Sequence, residues 1–237
     1  MHTYFISDLH LTPEKPAIAM AFQKFMLEKA PSADALYILG DLFEYWIGDD
    51  AASMLGAEPA LSLMKKVSEH TKCFFIAGNR DFLVRQDFEK QSGFKILADE
   101  SVVDLYGTQT LLLHGDSLCT DDHKHQEFRQ TMTTNHAFCD QFLSLPIEQR
   151  IEQAKQARMQ SAEHKSNISE GIMDVSESAV SNAFKAHNVK QVIHGHTHRQ
   201  NTHQYTEGTR YVLGDWHETS SIMTVTSTDI KIENFAI

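Results

Sequence analysis

Short runs of β-branched and aromatic residues that stop abruptly at Gly, Asp, Asn or His recur along the chain. They read YFISDLH at 4–10, ALYILGDLF at 35–43, CFFIAGNRD at 73–81, TLLLHGD at 110–116, QVIHGHTH at 191–198 and RYVLGDWH at 210–217. Uninterrupted apolar stretches such as 37–39 and 74–76 predict strands buried on both faces. Crossover helices are predicted over 17–29 and 58–70, the second carrying Leu61, Met64, Val67 and Ser68 at helical spacing. Strand, helix, strand, helix specifies an α/β arrangement with an at least partly parallel sheet, whose polar strand ends meet at one edge. The C-terminal runs 210–213, 221–226 and 230–235 follow one another closely, which predicts antiparallel strands.

The region 123–174 breaks this rhythm with two helix-like segments separated by Leu145 and Pro146. Phe128, Met132, Phe138, Phe142 and Leu143 line one segment; Ile151, Ala154, Ala157 and Arg158 line the other more thinly. Periodicity alone fits plain core packing; an apolar groove between the segments is the alternative, because a lid over a greasy substrate needs such a surface. A chain of 237 residues, 41% hydrophobic, suffices for one domain with a sizeable core. Its net charge of -11 repels nucleic acid, and no nucleic-acid partner is expected, although a local basic patch is not excluded by a bulk charge. Cys73, Cys119 and Cys139 match neither a CxxC pair nor a disulfide framework, which predicts a reducing compartment. The opening MHTYFISDLH has no basic leader, and no run approaches the roughly 18 apolar residues of a membrane span, so a cytoplasmic protein, free or peripheral, is expected.

Taken singly, an Asp after a strand commonly caps a helix and a His in a strand commonly belongs to the core. Repeated at equivalent topological positions they mean more, because loops beyond the carboxyl ends of neighbouring strands converge on one crevice. Asp8, His10, Asp41, Asn79, His114 and the histidines of HGHTH at 194–198 are therefore candidates for one site. Oxygen and imidazole donors without thiolate suit Mn, Fe, Zn or Co. Six or more donors are too many for one tetrahedral ion and fit two, a pairing whose natural chemistry is phosphoester or phosphoanhydride hydrolysis.

DLH at 8–10, GDLFEYWIGDD at 40–50, GNRDFL at 78–83, HGDSLCTDD at 114–122 and HGHTHR at 194–199 together resemble the calcineurin-like metallophosphoesterases, over nearly the whole chain. The resemblance implies a two-sheet α/β sandwich flanked by helices, a single domain over 1–237 with 123–170 inserted as a helical hairpin forming a substrate lid. Within that superfamily the motifs are most similar to the UDP-2,3-diacylglucosamine pyrophosphohydrolases of lipid A biosynthesis. Membership there implies a monomeric hydrolase, peripheral on the cytoplasmic side of the inner membrane and supported by two Mn2+. It would split its UDP-linked lipid by attack of metal-activated water on the uridine-side phosphorus, giving UMP and 2,3-diacylglucosamine 1-phosphate (lipid X). Carried over residue by residue, Asp8, His10 and His198 bind one metal, Asn79, His114 and His196 the other, and Asp41 bridges them. His194 is left as the strand's own terminal residue.

The broad superfamily has a histidine after the asparagine of its GNH motif, where this chain has Arg80. Arginine clamps phosphate in a rigid fork but does not surrender a proton at neutral pH, so Arg80 is assigned to phosphate binding and the general acid is left open. Trp46, Phe128, Phe138 and Phe142 are the expected apolar lining, with Asp122, Arg158, Ser161 and Lys165 as polar substrate contacts beside Asn79, Arg80 and His196. The segment 161–175 departs from the family pattern: His164, Lys165 and Asn167 stand in altered order, and Ile168 sits where a lysine is expected. The competing functions are a phosphoesterase for soluble nucleotides, which needs no apolar cleft, and a metal-stabilised scaffold without turnover.

Overall fold

The computed structural model describes residues 1–167 and 172–237, apart from the side chains of 162 and 164–167. Its first sheet has parallel strands β1 (Thr3–Ile6), β2 (Ala35–Leu39), β3 (Lys72–Ile76) and β4 (Lys95–Leu97). The antiparallel pair β10 (Thr219–Val225) and β11 (Ile230–Ala236) completes the order β11-β10-β1-β2-β3-β4. The second sheet runs β5-β6-β7-β9-β8, from β5 (Ser101–Leu105), β6 (Thr108–Leu112), β7 (Gln191–His194), β8 (Asn201–Gln204) and β9 (Thr209–Val212). Helices α1 (Pro16–Glu28), α2 (Glu58–Ser68) and α3 (Gln86–Ser92) cover the outer face of the first sheet. The outer face of the second packs on α7 (Glu177–His187), through Val180 and Phe184 against Leu111 and Val192.

Period-two alternation explains the layers. In β2, Leu36 and Ile38 pack among Phe22, Met64 and Phe75 under the helices, while Tyr37 and Leu39 face Leu112, Ile193 and Leu213 between the sheets. All five β2 residues are buried, as a continuous apolar run predicts. The register of the first three strands is marked by an aromatic ladder: Phe5 stacks on Tyr37 at 4.9 Å and Tyr37 on Phe74 at 4.7 Å between ring centres. Pro16 opens α1, where its missing N–H costs nothing, and Ile18, Phe22, Phe25 and Met26 form the buried face.

Two expectations are corrected. Of the C-terminal runs expected to be antiparallel, β10 and β11 do pair so, but β9 lies parallel to β7 in the second sheet, whereas β10 crosses to the first and pairs with β1. Short spacing suggested direct pairing, but the connection through Gly214 and Trp216 changes sheets, with Trp216 N–H donating to Asp8 O at 3.1 Å. The first arm of the inserted region is not one helix either. It divides into α4 (His123–Phe128), a π-helical turn (Arg129–Thr133) and α5 (His136–Leu143). Thr133 and Thr134 both donate hydroxyl hydrogens back to Arg129 O at 3.0 Å, and Asn135 starts α5 as a cap, accepting from Phe138 N–H at 3.1 Å. The second arm is α6 (Ile147–Asn167). Lys165, His164, Asn167 and Ile168, singled out from the sequence, lie outside the described side chains. The cysteines are free and buried.

Candidate active site

The strand ends converge. Asp8 and His10 follow β1, Asp41 follows β2, Asn79 and Arg80 follow β3, His114 follows β6, and His196 and His198 follow β7. His194 ends β7 itself, buried, with Nδ1 2.9 Å from Gly195 O and Nε2 3.2 Å from an Arg210 nitrogen. Burial, reinforced by the Arg210 charge, pushes its pKa down to about 3.

The backbone is strained where the donors sit. Asp8, His10, Asp41, His196 and His198 have φ of 56°, 50°, 53°, 67° and 59°. A non-glycine residue in this left-handed region costs on the order of 1 kcal/mol or more, so it persists only when surrounding contacts hold it. Here the loops are laced together: Asp8 N–H donates to Gly40 O (3.1 Å), His10 N–H to Asp41 O (3.0 Å) and Gly195 N–H to His114 O (2.9 Å).

Two donor groups result, Asp8, His10 and His198 in one and Asp8, Asp41 and His114 in the other, each with ligand atoms within 4.8 Å of one another. Asp8 is common to both, while Asp41 turns Oδ1 to His114 Nε2 (3.5 Å) and Oδ2 toward His10 Nδ1 (4.0 Å). Asn79 Oδ1 lies 3.2 Å from His114 Nε2 and 3.1 Å from His196 Nδ1, and those nitrogens are 3.2 Å apart. On the other side His10 Nε2 and His198 Nε2 are 3.4 Å apart.

These residues fit divalent cations. His114 Nδ1 is 2.8 Å from Leu39 O and His198 Nδ1 is 3.2 Å from Asp215 Oδ2. An N–H donated on that side leaves the Nε2 lone pair of each ring facing the centre. His10 Nδ1 is buried without a hydrogen-bond partner among the described residues, a costly state that a cation would relieve, and Asp8 Oδ1 faces His198 Nε2 at 3.3 Å, two donor atoms turned to one point. The donors are oxygen and imidazole only, which suits first-row divalent ions.

Without a cation the same groups hold protons. Burial pulls His198 down, but Asp215 and Asp8 outweigh it and raise its pKa to about 10. Burial likewise opposes His114, yet Asp41, Asp8 and Asp116 lift it to about 9. Asp8 is pushed up by burial, and the His198 ring beside it, with His114 and His10, more than reverses this, holding it well below the usual carboxylate range. Both raised histidines are therefore protonated at neutral pH in the metal-free protein and must deprotonate to bind metal. Metal loading at pH 7 is expected to release about one proton from each, and affinity should strengthen as pH climbs toward 9. Calorimetric titration in buffers of different ionisation enthalpy measures this; a buffer-independent heat would rule it out.

Several residues without an assigned role from the sequence support the centre. Asp81, fully buried, accepts from Gly78 N–H (2.7 Å), Leu42 N–H (2.7 Å) and Asp41 N–H (3.2 Å), clamping two ligand loops together. Asp215 orients His198; its position in LGDWH, at another strand end, was the available signal. His125 brings its ring within 5.1 Å of His196, and Glu44 pairs with Arg80.

A groove of about 260 Å³ opens beside the centre. Asn79, Arg80, Asp122, Arg158 and Ser161 line it together with Trp46, Phe128, Phe138 and Phe142. Trp46 is mainly a core residue: it is 1% exposed, packs on Phe43 and Phe88, and donates Nε1–H to Asp49. Asp122 also caps α4 by accepting from His125 N–H at 3.0 Å. Arg80 is positioned by Glu44 (NH1 to Oε1, 3.2 Å) and Asp41 (Nε to Oδ2, 3.6 Å).

Residues 1–200 match the family model described as calcineurin-like phosphoesterase. The chain is 44% identical to a UDP-2,3-diacylglucosamine hydrolase of Xanthomonas axonopodis pv. citri, covering 100% of both chains. It is 46% identical to one of the same name from Haemophilus ducreyi, covering 95% of this chain and 96% of that protein. Among solved structures it is similar to Yfce, a phosphoesterase from E. coli, with a TM-score of 0.49 and 16% identity over 100% of each chain.

Proposed function

Because the chain belongs to the calcineurin-like phosphoesterase family, we propose that it hydrolyses the pyrophosphate bond of UDP-2,3-diacylglucosamine, releasing UMP and 2,3-diacylglucosamine 1-phosphate in lipid A biosynthesis. Beyond kinship, one observation carries the choice of a lipid substrate. Asn79 and Arg80, at the donor cluster, also line a groove walled by Phe82, Leu83, Phe128, Met132 and Phe138. An apolar wall against a phosphoryl-handling centre suits a molecule with acyl chains at one end and a diphosphate at the other.

Two Mn2+ are our proposed cofactors, one held by Asp8, His10 and His198 and one by Asn79, His114 and His196. Asp41 is the proposed bridge, supported by its two oxygens facing His114 and His10. The cations would supply Lewis acidity and water activation. Arg80 would hold the diphosphate in its guanidinium fork and neutralise developing charge, staying protonated throughout. The leaving group is the sugar-linked phosphate, acidic in its own right, which lowers the need for a proton donor. Helices α4, α5 and α6 serve as the lid, with Asp122, Ser161 and Lys165 as head-group contacts. Acyl chains keep such a substrate in a bilayer, so the working location is peripheral, on the cytoplasmic side of the inner membrane, as a monomer. No described helix is long and apolar enough to cross a membrane.

Hydrolysis in 18O-labelled water with Mn2+ tests both bond and phosphorus. The label is expected in UMP. Label in the lipid phosphate would reject attack on the uridine side, and efficient cleavage of soluble dinucleotides with the lipid left intact would reject the substrate.

A further inference from the structure

One carboxylate joins the lid to the phosphate site. Glu44, in the loop after β2, accepts through Oε1 from Arg80 NH1 at 3.2 Å, from Arg158 Nε at 2.8 Å and from Arg158 NH2. Arg80 stands beside the donor cluster; Arg158 projects from α6, the longest lid element. The three side chains are only partly exposed, at 11% for Arg80, 22% for Glu44 and 29% for Arg158, so their charges are less screened than a surface pair. Without Glu44, Arg80 would keep only Asp41 of these two carboxylates while Arg158 would lose the carboxylate that draws α6 to the loops carrying Asp41 and Arg80.

Helix α6 has a second, different anchor. Arg150 is 3% exposed and donates to Ile47 O at 2.6 Å and to both oxygens of Asp50, at 2.9 and 2.5 Å. The guanidinium is buried against Ile47 O, although its partner Asp50 is 59% exposed, whereas Arg158 lines the groove itself. Of the two anchors, the Arg158 end is the one that faces the groove. An incoming diphosphate would engage guanidinium N–H groups other than those held by Glu44, so the carboxylate sets the direction of both forks.

We propose that Glu44 is a positioning residue that ties the Arg158 end of α6 to Arg80, so that seating of the lid and orientation of the phosphate clamp occur together. The proposal rests on the assignment of Arg80 as a phosphate contact. It makes Arg150 and the Glu44–Arg158 pair separate anchors of α6, the second at the groove.

The test is a double-variant cycle of Glu44→Gln and Arg158→Gln, read by kinetics on UDP-2,3-diacylglucosamine in detergent micelles with Mn2+ and by amide hydrogen exchange without substrate. Each single variant should raise KM at least about tenfold, the worth of one charge-assisted hydrogen bond, with kcat falling less than about threefold. Exchange should quicken about tenfold across 154–161 and stay unchanged across 147–151. The double variant should be no worse than the weaker single variant, as for groups acting as one unit. Multiplying effects, unchanged exchange at 154–161, or faster exchange with unaltered KM would each overturn the tie. Should Glu44→Gln fail to fold, Arg158→Gln cuts the same link from its exposed end and must give the same KM and exchange changes. If the wild-type protein leaves this lipid intact, the functional assignment falls, and the substrate-free exchange still decides whether Glu44 holds α6.

Discussion

Asp41→Ala is expected to lower kcat/KM by at least about 10³-fold, or about 4 kcal/mol of transition-state stabilisation, and to reduce bound Mn2+ from two equivalents to one or fewer. Asp41 is 2% exposed and stands between histidines of both donor groups, 3.5 Å from His114 Nε2 and 4.0 Å from His10 Nδ1. It also accepts from Arg80 N–H at 2.9 Å, so the same side chain orders the loop that presents Arg80, the proposed phosphate clamp. A methyl group supplies neither donor oxygens nor negative charge, and the cations would then repel each other across the gap. Steady-state kinetics and metal analysis on one preparation measure the two effects. Retention of two equivalents with activity within tenfold of wild type would defeat the bridging assignment. Thermal unfolding separates this loss from misfolding, because the metal-free variant should melt close to the metal-free wild type while the gain on adding Mn2+ shrinks.

Gly78→Ala is expected to cost about 10²-fold in activity or more, the penalty for roughly 1 Å of misplacement at a reacting centre. A Cβ at this position would stand 2.2 Å from Asp41 Oδ1 and 2.6 Å from Asp41 N. The backbone amide cannot retreat freely, because Asp81 holds both Asp41 N–H and Gly78 N–H. The Asp41 carboxylate must turn or the two loops must part, with about 1–3 kcal/mol of stability lost to overpacking. Gly78 is not among the positive-φ glycines, so alanine can adopt its backbone and the effect isolates steric displacement. Gly107→Ala is the comparison: its φ is 94° and its Cβ would meet nothing within 4 Å, so stability should fall while kcat/KM holds. Equal activity losses in the two variants would show that Gly78 matters only through stability.

The strand-end pattern was legible because it is local. Apolar runs that stop at Gly, Asp, Asn or His announce both a buried strand and the crevice beyond it, and β1, β2, β3, β6, β7 and β9 all appear among them. Helices α1 and α2 were equally readable, as crossovers over 17–29 and 58–70, the second from Leu61, Met64 and Val67. Less was visible where polarity interrupted the run. Strand β8 is mostly exposed and carries no apolar period, and the break before α5 depends on threonine hydroxyls competing for one carbonyl. The supporting acids were hidden for another reason. Asp81 and Asp215 look like any loop carboxylate until distant loops bring Asp41 N–H and His198 Nδ1 against them. Glu44 acquires its role only when Arg158, far along the chain, folds back over it.

By itself the sequence determined the fold class, which residue types would reach the crevice, and the chemistry that oxygen and imidazole donors without thiolate can support. Period-two burial and turn residues are short-range properties, written into consecutive positions. Tertiary structure alone decided that β9 and β10 part to different sheets, since alternation states that a face is buried and not which partner covers it. It also decided that Asp8, His10, Asp41, His196 and His198 take left-handed backbone angles, a strain that only contacts between distant loops can hold.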